Sequence, residues 1–424
     1  MKVLWIINAP TPRAAIALGV PPSGFPTWIE AGYEAAVSRG DLDVILSFPW
    51  HGPPRSTSSG GATFTTFPTV EFGRELGGAR AIEEMIRGLK PDLVHIFGTE
   101  GGHAYSAAQA CSRLEVPFVI GLQGLSSTIA EHYTSGLPAA ISHGYTLRDI
   151  IRRDNITMQA TKYRTRGRTE ARTLALAKYV IGRTTWDRAV AEQLNPTARY
   201  FAVPETLRSA FYANEWSLEM CQKQSIFLSQ GHYPIKGMHF VLRALPIIIA
   251  RHPGTQLFVS GLPLRRSGLK GTIKQTRYAT YLKQLIRKTS LEDHVHFVGV
   301  LDEAEMVNRY LQSHVFVSAS TVENESNSLS EAKALGVPVV ASYVGGVIDR
   351  IEHGSTGFFY QHDAPYMLAH YISTLFRDSE LCQRFSANER AASLDLNDAA
   401  RNAQLLMETY ANILQESQHR VRGS

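Results

Sequence analysis

Short apolar runs alternate with longer stretches of helical periodicity along this 424-residue chain, and the alternation runs twice. A pattern of this kind folds as a parallel sheet with helices on both faces, because successive parallel strands need a crossover long enough to hold a helix. The first series predicts strands at 2–8, 42–48, 93–97, 116–122, 179–182 and 200–203. A helix at 79–89 is stopped by Lys90-Pro91-Asp92. The stretch 49–72, rich in Gly, Pro, Ser and Thr, reads as a loop with one strand. The pattern restarts after a break near 204–225. It then predicts strands at 225–229, 256–260, 295–298, 315–318 and 337–341, with helices at 237–250, 277–288, 302–312 and 330–335. The expectation is an α/β chain of two Rossmann-like domains, 1–207 and 208–385, followed by a polar helical segment, 386–424. No internal repeat or low-complexity stretch appears.

Composition narrows the ligand. Lys and Arg exceed Asp and Glu by 43 to 38, a net charge of +5. That surplus is too small to suggest a nucleic-acid protein, and no nucleic-acid partner is expected. It suits a small anionic ligand or an anionic membrane surface. Cys111, Cys221 and Cys382 are far apart and form no CxxC pair, so a reducing, cytoplasmic setting is expected. The opening apolar run is too short for a secretion signal. No window approaches the roughly 20 apolar residues of a membrane span.

The segment from Ser318 to Pro338 carries the chemistry. A strand is expected to end at Ser318, a polar loop follows, and a short helix stops at Gly336. Glu323 falls in the loop and Glu331 in the first helical turn. Ligands of open parallel sheets bind beyond the carboxyl ends of the strands, where this loop lies. A helix start offers free N–H groups and a partial positive charge, which suit phosphate. Ionised carboxylates only accept hydrogen bonds and therefore suit hydroxyl groups. A nucleotide diphosphate sugar presents both.

With Glu-Ala-Lys-Ala-Leu-Gly-Val-Pro-Val-Val behind it, the segment resembles the Glu-x7-Glu signature of family 4 of the retaining glycosyltransferases. The variant Glu-Asn-x-x-Asn-Ser-Leu-x-Glu-Ala resembles a bacterial subgroup of capsule or surface polysaccharide assembly. The resemblance implies a GT-B fold, two Rossmann-like domains facing across a cleft and closing over the donor, with the C-terminal helix crossing back to the first domain. It implies that Glu323 faces the donor sugar, Glu331 binds the ribose, and the backbone of Asn327, Ser328 and Leu329 approaches the diphosphate. Gln230-Gly231-His232-Tyr233-Pro234-Ile235-Lys236-Gly237 resembles the family's diphosphate-binding Lys-Gly, so Lys236 inherits that role and, with Glu323, is the catalytic candidate. The family pattern has an Arg where this chain has Gly231, and His232, Arg265 or Arg266 are candidates to compensate. Val298 to Leu301 matches the place where the family packs the base. Gly345-Gly346 before a helical 347–352 also resembles the family, though a plain turn reads as well.

The first half would bind a glycan or lipid-linked acceptor. Its candidates are Trp28 with the preceding Gly24-Phe25-Pro26-Thr27, Glu100, His103 and Gln123, the last standing where many family members carry His. His95, within an apolar run, reads as a core residue. Arg183 reaches the donor phosphates in one reading and pairs with Asp187 in another. Residues 146–178 hold nine basic and three acidic side chains around Ile150 and Ile151, a peripheral membrane contact in one reading and a solvated helix face in the other. A cytoplasmic enzyme at the inner membrane face would follow from the first. The family's front-face route retains configuration without an enzyme nucleophile. With no DxD-type motif in a convincing place, neither metal nor cofactor is expected. A nucleotide-sugar epimerase and an inactive nucleotide-sugar-binding protein use the same scaffold. A nicotinamide dehydrogenase is disfavoured, since neither half has GxGxxG after its first strand.

Overall fold

The computed structural model describes the chain except residues 22–26, 39, 71–74, 263, 265–274 and 424. Two compact units emerge. The first comprises Met1–Ser127, Arg164–Arg208 and Asn397–Ser424, and the second Thr128–Tyr163 and Ser209–Leu396. Segment 128–163 thus belongs with the second unit, a division that the alternation of strands and helices does not reveal. The C-terminal stretch divides too. Helix Ser379–Leu396 stays with the second unit, and helix Ala399–Gly423 completes the first.

In the first unit, eight strands form one sheet: β1 Lys2–Ile6, β2 Asp43–Trp50, β3 Ser56–Ser59, β4 Ala62–Pro68, β5 Leu93–Phe97, β6 Phe118–Gly121, β7 Tyr179–Gly182 and β8 Arg199–Ala202. Their order is β3-β4-β2-β1-β5-β6-β7-β8, and all neighbours are parallel except the β3–β4 hairpin. That hairpin falls in the stretch read as a loop with one strand. β1 shows why the sheet is central. Its register sets Leu4 against Ile45 and Val94, and alternate residues serve opposite faces. Val3 and Trp5 join Ile29 and Tyr33 of helix Thr27–Val37 and Tyr410 and Ile413 of the last helix. Leu4 and Ile6 join Ile82 and Ile86 of helix Glu75–Leu89 and Ala104, Ala107 and Cys111 of helix Gly102–Leu114.

The second unit has six strands, all parallel: β9 Gln222–Leu228, β10 Gln256–Ser260, β11 Val295–Gly299, β12 Ser313–Ser318, β13 Val339–Ser342 and β14 Phe358–Tyr360. The order is β11-β10-β9-β12-β13-β14. The chain builds outward from β9 to β11, returns, and builds the other way from β12. β9 and β12 are therefore neighbours whose following loops diverge. The same reversal separates β1 from β5 in the first unit. Such a switch point is where doubly wound sheets bind ligands.

Four of the buried histidines have strongly lowered pKa values. His95, on β5, exchanges a hydrogen bond with the Tyr410 hydroxyl at 2.6 Å, in keeping with its reading as a core residue. His239 faces the Tyr278 hydroxyl at 3.0 Å. Burial pulls His95 and His239 down to about 3 and His103 and His314 to about 4, against an ordinary 6.5. The unfolded chain takes up these protons as pH falls through 6.5 while the folded chain refuses them. The stability they confer is thus complete above about 6.5 and lost as pH falls towards the folded values. Each costs about 2 kcal/mol between pH 7 and 5. Denaturant unfolding at both pH values should show the first unit losing about 2 kcal/mol less in His95→Gln than in the wild type.

Candidate functional site

Lys236 ends a short 3-10 turn, Pro234–Lys236, beyond β9, and Glu323 lies in the loop after β12. They flank the switch point of the second unit. The Lys236 ammonium donates to Glu323 Oε2 at 2.6 Å, and Ser320 Oγ donates to the same oxygen at 3.1 Å. The two side chains are 26% and 15% exposed, so the pair is ordered yet reachable.

Backbone packing sets this geometry. Gly237 has φ +68, and a Cβ there would fall 1.7 Å from the Ala319 carbonyl oxygen, so only glycine lets the Lys-Gly turn close on the end of β12. The Thr321 amide donates to the Ile235 carbonyl at 2.8 Å and joins the same two loops. On the other side, a Cβ on Gly345 would fall 2.0 Å from the Glu323 carbonyl oxygen, which accepts the Gly346 N–H at 3.0 Å. Gly345-Gly346 is therefore the wall of the Glu323 loop rather than a plain turn.

Helix Asn327–Leu335 starts next to this pair in the chain. The Ser326 hydroxyl caps it by accepting the Leu329 N–H at 3.3 Å. Its first turn carries Asn327, Ser328 and Leu329, whose N–H groups precede the internal ladder. Glu331 is buried one turn on. The Tyr310 hydroxyl donates to the Ser328 carbonyl at 2.9 Å and lies 3.4 Å from Glu331 Oε2. Beneath the loop, Arg350 Nε donates to Glu325 Oε1 at 3.0 Å, with side chains 6% and 1% exposed. Lys333 donates to the Arg350 carbonyl, and burial pulls its ammonium down to about 8.

Gly231 carries no spare room. A Cβ would meet Met238 Sδ and Val259 Cγ1, each at 2.6 Å. His232 sits beside Lys236. Burial first, and then the Lys236 charge, lowers its pKa, and no partner for its buried Nδ1 is seen among the described residues. Arg265 and Arg266 lie outside the described residues. Val298, on β11, and Leu301, just beyond it, are half-buried at the sheet edge two strands from β9.

In the first unit, Glu100 follows β5 at the switch point with β1. It accepts the Gly124 N–H at 2.7 Å and Asn8 Nδ2 at 3.4 Å, and burial raises its pKa. Trp28 and Gln123 line a cavity of about 80 Å³ together with Phe97, Ile181, Arg183 and Leu406. Residues 24–26 lie outside the described residues. His103 is absent from the cavity wall. It is 4% exposed, and its ring centroid is 5.6 Å from that of Phe67. Arg183 is held within this unit by Glu205 and by the Leu122 carbonyl, to which it donates at 2.7 Å. Asp187 accepts the Arg183 backbone N–H at 2.9 Å and forms a capping box with Thr184.

Sequence reasoning overlooked Ser320, Tyr310 and the Glu325–Arg350 pair. It also counted Glu170 only as one acid in a basic stretch. Glu170 is fully buried and accepts from Thr99 Oγ1, the Ser126 and Ser127 amides and Ser127 Oγ, at 2.6 to 3.0 Å. These four bonds tie the loops after β5 and β6 together. Glu325 and Arg350 are 25 positions apart, with no local spacing to announce them.

Residues 213–392 match the family of glycosyl transferases group 1. The match spans β9 to β14 and the Lys236–Glu323 site. YtcC of Bacillus subtilis strain 168, named as a glycosyltransferase, is 25% identical over 205 residues, 48% of this chain and 48% of YtcC. The chain spans about half the length of the curated relatives it matches. Among solved structures, sucrose-phosphate synthase of Thermosynechococcus elongatus superposes with a TM-score of 0.72 at 16% identity, covering 98% of this chain and all of that one. HepE of Anabaena, solved with UDP-glucose, gives a TM-score of 0.68 at 18% identity, covering 97% and 100%. The two-Rossmann-domain GT-B fold is therefore the fold of this chain.

The buried ion pair under the Glu323 loop gives a direct test. Arg350→Ala should cost the second unit about 3–5 kcal/mol by removing the guanidinium that the buried Glu325 Oε1 accepts from. In a denaturation double-mutant cycle, Arg350→Ala with Glu325→Ala should cost clearly less than the sum of the single changes.

Proposed function

We propose that the protein is a retaining glycosyltransferase that moves a sugar from a nucleotide diphosphate donor, UDP- or GDP-linked, to a glycan or lipid-linked acceptor. Its place would be in surface polysaccharide assembly, as the Glu-Asn-x-x-Asn-Ser-Leu-x-Glu-Ala variant implies. One observation carries the reading. A reachable ammonium and carboxylate, Lys236 and Glu323, meet across the sheet's switch point beside the start of a capped helix. The match to glycosyl transferases group 1 over the same residues supports it.

In this reading the donor diphosphate approaches the first turn of helix Asn327–Leu335. There it competes with Glu323 for Lys236. The ammonium and the helix N–H groups stabilise the charge that grows on the departing diphosphate. Glu323, released from Lys236, accepts from hydroxyls of the donor sugar while Ser320 keeps its carboxylate oriented. Glu331, steadied by Tyr310, accepts from the ribose. His232, beside Lys236, is the candidate to stand in for the family's Arg, as a neutral ring N–H donor rather than a cation, because burial and the Lys236 charge lower its pKa. Gly231 itself gives no space for one. On the acceptor side, Glu100 and the cavity walled by Trp28 and Gln123 are the groups nearest the first unit's switch point. We keep the expectation of a metal-independent reaction.

Lys236→Ala and Glu323→Ala should each reduce transfer by at least about a hundredfold, the scale for removing one charge-stabilising group, with melting temperature little changed. A thermal-shift panel of UDP- and GDP-sugars identifies the donor. At 100 times its dissociation constant it should add about 2.7 kcal/mol. Near-normal turnover in both variants sinks the assignment. A sugar changed on incubation of the donor alone points instead to an epimerase. Loss of transfer on adding a chelator overturns metal independence.

A further inference from the structure

A short helix in the second unit, Leu147–Arg152, presents apolar side chains to solvent on a rigid base. Tyr145, Leu147, Ile150 and Ile151 are 53%, 55%, 61% and 70% exposed. They fall within seven consecutive positions, whereas the other large exposed apolar residues are scattered along the chain. Scattered exposed apolar residues are ordinary, but a cluster on one helix is not. Arg152 and Arg153 are exposed beside them.

The base is firmly built. Thr146 and Asp149 form a capping box. Asp149, 1% exposed, also accepts the Arg277 N–H at 3.1 Å, and Thr146 Oγ1 donates to the Gln275 carbonyl at 2.8 Å. Arg148 is neutralised by Asp149 at 3.0 Å and Asp154 at 3.4 Å. The nearby carboxylates are thus spent within the base, and Arg152 and Arg153 leave the rim cationic.

We propose that this helix seats the protein on an anionic membrane surface, with Leu147, Ile150 and Ile151 entering the headgroup–acyl boundary and Arg152 and Arg153 meeting lipid phosphates. Two features favour a bilayer over a protein partner. A six-residue helix is only about 9 Å long, and its three apolar side chains with Tyr145 just before it offer on the order of a few hundred Å², well below the roughly 800 Å² per partner of a stable complex. Apolar residues rimmed by Arg match the shallow insertion of interfacial segments. The proposal narrows the contact from the whole basic stretch to its first turns. Further along, Lys162 pairs with Asp154 at 2.7 Å, and Arg172 lies 4.1 Å from the Tyr105 ring centre.

Flotation of the full chain with vesicles tests this. Vesicles of phosphatidylcholine mixed with phosphatidylglycerol should carry the protein, while pure phosphatidylcholine should carry at least about tenfold less. Ile150→Asp with Ile151→Asp should lower partitioning to the anionic vesicles at least about tenfold. Arg152→Gln should lower it about fivefold and weaken its salt dependence. Leu147→Ser provides a milder apolar change should the double variant melt early. Absence of wild-type binding to anionic vesicles would overturn the proposal. So would undiminished binding of the folded variants, or a molar mass in light scattering that falls when the patch is changed, which would mark a second copy as the occupant.

Discussion

A parallel sheet that grows first to one side and then to the other leaves one pair of neighbouring strands whose loops part. In the second unit that pair is β9 and β12. The site depends on it, because no local sequence motif alone sets Lys236 against Glu323, 87 positions away. Neighbouring strands supply the proximity, and Gly237 supplies the final approach by letting one turn rest on the Ala319 carbonyl. A side chain at Gly237 would push the two loops apart, whatever functional residues they carried.

Charges here fall into two layers. Above, Lys236 and Glu323 are paired but reachable, and a stronger anion can draw the ammonium away. Below, Arg350 and Glu325 are buried, and removing either takes a buried charge partner from the other. Glu170 performs the lower task in the first unit, where one buried carboxylate gathers the loops after β5 and β6.

Much of this was legible in the chain. The doubled alternation of strands and helices is a local signal, and the sheets appear where it places them. The Lys-Gly turn and the segment from Glu323 to Glu331 are local too, and the structure sets Lys236 of the one against Glu323 of the other. The overlooked parts are long-range. Glu325 finds Arg350, and Glu170 finds Thr99 and Ser127, only once the sheets exist. A histidine after a glycine-rich turn looks presented to solvent, whereas His103 is buried on the first turn of helix Gly102–Leu114. The edge strand β3, Ser56–Ser59, was hidden by its polar composition, which at a sheet edge costs little.

The first unit is assembled from three stretches of chain, the last beginning at Asn397. Tyr410 and Ile413 belong to its core beside Trp5 and Val3. During synthesis, every residue of the second unit has been made before those two side chains leave the ribosome. The half of the protein translated first is therefore the half that must wait, with Trp5 and its neighbours unsealed, until the final helix arrives.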